Sequence, residues 1–137
     1  MTRIITRVDR AGVDTEELRA RPVGEGRFIV SSIPFTDIDL ALGDIVDCVR
    51  VDGEWHVDSV VVRGGNSTLR ILPSGPVNLV GPLLDAGCRV EQGPAGLLAV
   101  SVGPDGPYHG ITAWLEGLVE SGLIDLSPGY TAGGALD

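Results

Sequence analysis

The sequence predicts an α+β chain: a small antiparallel, barrel-like β unit packed on a ferredoxin-like β-α-β-β-α-β unit. Three observations lead there. Twenty glycines and nine prolines in 137 residues cut the chain into short elements and exclude a long helical bundle. Up to about residue 65, apolar residues recur at every second position between closely spaced turn signals. Beyond it, Ile111, Trp114, Leu115, Leu118 and Val119 repeat as an amphipathic helix does, with strand-like runs on both sides. The expected division is a flexible N-terminus (1–14), an antiparallel β unit (15–65), a split βαβ unit (66–128) and a loose tail (129–137) with Tyr130 tucked back.

Each element has a local reason. Residues 1–12 read as polar and fraying. Leu18–Val23 is a short strand, and Gly24-Glu25-Gly26 turns it into a second one, in which Phe28 and Val30 alternate with Arg27 and Ile29. Pro34 ends that hairpin, and 35–41 is a loop or a single helical turn. Ile45–Val51 is rich in β-formers, Asp52-Gly53 is a two-residue hairpin signal, and Trp55–Val62 returns. Simple alternation places Trp55, Val57, Ser59 and Val61 on one face. Thr68–Leu72 opens the second unit. Val77, Val80, Leu83 and Leu84 form a helical stripe that Gly81-Pro82 should kink or break. Cys88–Gln92 and Leu97–Val102 are strands joined at Gly93-Pro94. Gly103–Pro107 is a turn, the 111–119 helix follows, and Leu123–Leu126 is the last strand.

Charge narrows the partners. The formal charge is −9, and all ten basic side chains are arginine. Eight arginines face twelve acids through Thr68, and two face seven afterwards. No basic stripe exists for a phosphate backbone, so no nucleic acid is expected. An acidic field suits a protein or peptide partner, a basic one included. No apolar run is long enough to span a bilayer, so no membrane association is expected. MTRIITRVDR lacks the apolar core of a signal peptide, which makes a cytoplasmic location the expectation.

No catalytic motif is present. Cys48 and Cys88 are forty residues apart in apolar contexts and read as buried free thiols, and no metal set is expected. Gly24-Glu25-Gly26 lacks the strand-to-helix setting of a dinucleotide fingerprint, and Gly103-Pro104-Asp105-Gly106 lacks the Lys and Ser/Thr of a phosphate loop. No cofactor is therefore expected. Asp37, Asp39, Asp44 and Asp47 crowd one region and read as solvent-facing, with a minor chance of acid–base work. The strongest candidate site is the bend between the units. There Arg63, Asn66, Ser67, Thr68 and Arg70 offer several donors, although Gly64-Gly65-Asn66 also reads as a plain turn. His56, His109 and Asp44 are secondary candidates.

Three blocks resemble an uncharacterised bacterial family, domain of unknown function 4265. They are Ile33-Pro34-Phe35 after GRFIVSS, then Leu42-Gly43-Asp44-Ile45-Val46, then Gly65-Asn66-Ser67-Thr68-Leu69-Arg70, with Gly87-Cys88 further on. The likeness runs from about Leu18 to about Asp125, and Ser31-Ser32 departs from the family pattern. The resemblance implies a shared fold and no reaction. The leading expectation is a non-enzymatic accessory module, regulatory or immunity-type, that recognises a protein or peptide. The alternatives are a small-molecule binding module with a polar site at the seam, and a small enzyme using a His–Asp pair.

Overall fold

Five strands close into a barrel: β1 (Thr2–Arg10), β2 (Val13–Gly24), β3 (Arg27–Val30), β4 (Ile45–Val51) and β5 (Glu54–Val62). The computed structural model describes residues 1–10 and 13–133 of the chain. Neighbouring strands are antiparallel, except that β1 and β5 close the ring in parallel, with Ile4 opposite Trp55. Closure leaves this unit without an open sheet edge.

The N-terminus expected to be flexible thus supplies a strand; residues 11 and 12 of that stretch lie outside the described residues. Ile4, Thr6 and Val8 are buried while Arg3 and Arg7 are exposed, a two-residue period that Thr6 disguises. Strand β2 is longer than Leu18–Val23 for a similar reason. Leu18 and Ala20 point inward in step with Glu16, a residue type normally read as surface.

Inside the barrel Ile4, Leu18, Phe28, Val30, Leu40 and Val46 pack with Trp55, Val57 and Val60. The rings of Phe28 and Trp55 meet edge to face at 5.3 Å. Simple alternation along β5 fails after Val57. Asp47 pairs with Ser59 but Cys48 with Val57, so Asp58 is the extra residue of a bulge, and Val60 turns inward where Ser59 or Val61 was expected. Asp52 and Gly53 both have positive φ, as the Asp-Gly hairpin requires.

The second sheet has the order β7-β8-β6-β9, with antiparallel neighbours throughout: β6 (Ser67–Pro73), β7 (Arg89–Gln92), β8 (Leu98–Val102) and β9 (Ile124–Pro128). Helix α1 (Val80–Asp85) lies between β6 and β7, and α2 (Tyr108–Glu120) between β8 and β9. The chain is therefore mixed α+β, mostly strand, with two helices and two sheets. Pro82 breaks nothing, because α1 starts at Val80 and the proline falls in the first turn, where no N–H is needed. Leu79 and Leu83 from the α1 region and Ile111 and Leu115 from α2 cover Leu69, Ile71, Val100 and Val102 in one core. Trp114 sits at the edge of that stripe and remains 37% exposed.

The opposite face of this sheet, with Thr68, Arg70 and Ala99, meets residues 31–44, the connection between β3 and β4. Ile33, Leu42 and Phe35 pack there on Ala99. The described part of the tail is held as well. Thr68 N–H donates to the Tyr130 carbonyl, Gly129 N–H to the Thr68 carbonyl and Ala132 N–H to Ser67 Oγ. Residues 134–137 of the expected loose tail lie outside the described residues. Among the described residues no helix is long and apolar enough to cross a membrane.

Two predictions test this packing. A Cβ on Gly64 would lie 2.6 Å from the Gly43 carbonyl oxygen, whereas one on Gly110 meets nothing within 4 Å. Gly64→Ala should therefore lower stability in urea by about 1–3 kcal/mol, and Gly110→Ala should be neutral or stabilising. Second, burial, then Asp47 and Asp58, push the buried Cys48 thiol up to about 11 from 9.0. The unfolded chain releases that proton first, so native stability should fall as pH rises from about 9 to about 11. A Cys48→Ala control should flatten that part of the urea-midpoint profile against pH.

Candidate functional site

The bend after β5 is built on a carboxylate. Asp44 is fully buried and accepts hydrogen bonds from Ala41 N–H at 3.0 Å, Gly64 N–H at 2.9 Å and Arg63 Nη1 at 2.9 Å. Arg63 Nη1 also donates to the Asp39 carbonyl at 2.6 Å, and the guanidinium lies 4.1 Å over the Tyr130 ring. Asp44 is thus not solvent-facing; it ties the barrel connection to the bend. Asn66 serves the same join by donating Nδ2–H to the Leu42 carbonyl at 2.6 Å.

The candidate residues separate into two groups. Arg70 is buried in the seam: Nη1 donates to the Phe35 and Thr36 carbonyls, and Nη2 to the Pro128 carbonyl. Thr68 is 1% exposed, with main-chain bonds on both sides to the tail. Arg70 and Asn66 therefore hold the halves together, and Thr68 holds the stretch after β9. Arg63 and Ser67 face a cavity of about 450 Å³, with Gly65, Tyr130 and, from the start of α2, His109 and Gly110. His56 lies on β5 opposite Val49, away from this space.

The acids expected at the surface divide likewise. Asp37 is buried, accepting from the Thr6 hydroxyl at 2.6 Å and from Asp39 N–H at 2.8 Å. Asp47 stays at the surface, where Arg27 at 2.8 Å holds its carboxyl below the usual range. Glu16, which sequence reasoning did not single out, receives Phe35, Thr36 and Asp37 N–H at 2.6, 3.0 and 2.8 Å. Only its place in the barrel period hinted that it faces inward.

The cavity's volume falls within the range of small-molecule sites, and its lining mixes glycine and proline backbone, two tyrosines, His109 and one guanidinium. Pro107 precedes helix α2 as its N-cap, with no side-chain cap bond, and Pro107, Tyr108, His109 and Gly110 line the cavity. Sequence reasoning missed Tyr108 and Gly110. Their one signal was position, directly after the Gly103–Pro107 turn, where a helix start is exposed. Among the described residues no group of three or more His, Cys, Asp or Glu could hold a metal. Both cysteines are buried and free.

Comparison with known proteins locates the chain. A hypothetical protein from Neisseria gonorrhoeae, solved as a crystal structure, superposes with a TM-score of 0.85. The match covers 96% of this chain and 95% of that one at 19% identity, which establishes a common fold. No curated protein matches the chain. The model of the family described as domain of unknown function (DUF4265) matches residues 16–126, and the chain belongs to that family.

The division of labour has a direct check. Arg70→Lys keeps the charge but cannot reach three carbonyls with a planar fork, and should cost about 2–3 kcal/mol in a urea titration. Ser67→Ala, which loses one neutral hydrogen bond to Ala132, should cost about 1 kcal/mol or less.

Proposed function

We propose that this family member is a non-enzymatic, cytoplasmic binding module whose ligand is a small molecule held between Arg63, Tyr130 and the first turn of α2. In this reading the second sheet and its two helices form a ferredoxin-like unit. The barrel supplies the residue that grips, and the second unit supplies most of the pocket. One observation carries the reading: a cavity of about 450 Å³, with an arginine and no Asp or Glu among its described lining residues, sits at the Arg63 bend, next to the seam, with Arg63 already held in place by Asp44 and Tyr130. A site preorganised in this way loses little entropy when it binds.

The protein or peptide partner expected from sequence has less support. Asp37, Asp44 and Glu16 are committed to internal hydrogen bonds and contribute little to an acidic docking face. The exposed valines of the β4–β5 hairpin lie apart: Val49 and Val51 near its turn, Val61 and Val62 at its far end. They do not form the contiguous apolar patch of an interface centre. The His–Asp enzyme has less still, since no Asp or Glu among the described residues lines the cavity that His109 lines.

The experiment is a fragment screen by thermal shift and amide chemical-shift mapping on the wild type and on Gly110→Leu. Gly110 has open space at its Cβ and lines the cavity, so leucine there fills the site without crowding the core. Hits should perturb the amides of Gly65, His109, Gly110 and Tyr130 in the wild type, and bind at least tenfold more weakly to the variant. Hits unaffected by Gly110→Leu, or a stoichiometric protein partner retained by that variant through native purification, would overturn the proposal.

A further inference from the structure

We infer that the ligand carries a carboxylate on a flat, ring-bearing body, bound with the carboxylate on Arg63 and the ring among the aromatic lining residues. This rests on the cavity reading above and names the chemistry of that same site.

The first reason is local charge. The chain carries −9, and two other grooves are acidic: one is lined by Glu16, Glu17 and Glu91, another by Asp37, Asp39 and Asp58. Among the described residues that line the Arg63 cavity there is no Asp or Glu, while one arginine and one histidine are present. A net-acidic chain whose described residues put an arginine and no carboxylate on the lining of this cavity has left the place of an acid open.

The second reason is how the guanidinium is held. Its bonds to Asp44 and to the Asp39 carbonyl both use Nη1. Asp44 is fully buried behind the bend, so it fixes the guanidinium from the protein side. Nη2 and Nε make no hydrogen bond among the described residues. These two donors form one edge of the fork, which matches the two oxygens of a carboxylate. A phosphate dianion would call for a second Lys or Arg, and Arg63 is the one such side chain among the described lining residues. The third reason is shape. The Arg63 guanidinium carbon lies over the Tyr130 ring, 4.1 Å from its centroid, and Tyr108 and His109, also in the lining, have ring centroids 5.8 Å apart. Rings in these positions favour a flat partner.

The test titrates benzoate, neutral benzamide, benzamidinium and inorganic phosphate into the full chain, read at the amides of Gly65, His109, Gly110 and Tyr130. Benzoate should shift these amides and bind at least tenfold more tightly than benzamide. Arg63→Lys, which keeps a cation for Asp44, should lose that preference. Arg63→Ala would leave Asp44 buried without its charge partner and destabilise the fold, so Gly110→Leu serves as the second variant and should abolish the benzoate shifts. Benzamide, benzamidinium or phosphate binding at these amides as tightly as benzoate would overturn the carboxylate inference and leave the cavity standing. Silence at these amides for all four probes and for every fragment would remove the cavity along with it.

Discussion

The structure depends on burying the connection between β3 and β4. Residues 31–44 carry the apolar contact between the halves through Ile33, Phe35 and Leu42. A loop in such a place brings backbone donors and acceptors that water can no longer reach, and each left unpaired costs on the order of 1–3 kcal/mol. Side chains meet that demand almost group by group. Glu16 takes the N–H of Phe35, Thr36 and Asp37; Glu91 takes that of Ile33; Asp44 takes that of Ala41. Arg70 covers the carbonyls of Phe35 and Thr36, Arg63 that of Asp39 and Asn66 that of Leu42. The join is a network of ionised side chains on backbone, and its apolar area is small beside the two cores it connects.

That network decides what the chain's charges mean. A count of nineteen acids against ten arginines suggests a solvated acidic surface. Several of those acids instead neutralise internal donors, and two arginines serve as internal caps. Net charge still bears on solubility, but it is a poor guide to the face a partner would meet. The described lining of the Arg63 cavity holds one arginine and no Asp or Glu, a placement that composition cannot reveal.

The parts legible in the sequence are those whose cause is local. The Asp52-Gly53 hairpin, strand β4 and helix α2 follow from turn chemistry and from periods of two and 3.6 residues. What escaped is set by distant groups. Thr6 and Glu16 interrupt the apolar alternation of β1 and β2 because both serve the buried connection, so a strand reads as a polar tail. The bulge at Asp58 shifts the face of β5 by one residue, and no turn residue marks it. Of the five residues proposed at the bend, Arg63 and Ser67 line the cavity while Asn66, Thr68 and Arg70 serve internal contacts, a division that residue type does not separate. Whether an Asn or Arg faces a cavity or a carbonyl depends on which chain segment packs opposite.

The close approach of Gly64 to Gly43 shows why the site and the fold cannot be assigned to separate units. A Cβ at either position would collide, with the Gly43 carbonyl in one case and with Asn66 Nδ2 in the other. The two backbones touch because Asp44 draws Gly64 N–H and Arg63 to the same carboxylate. Asp44 in turn holds Ala41 and stands at the end of the buried connection, where Val30 N–H donates to its carbonyl. Arg63 is thus placed by barrel residues, while the wall it faces comes from α2 and the stretch after β9. A movement of the barrel against the second sheet would move the guanidinium relative to His109 and Gly110. The cavity therefore exists in one relative setting of the two halves, and the hydrogen bonds that fix that setting also fix the direction of Arg63.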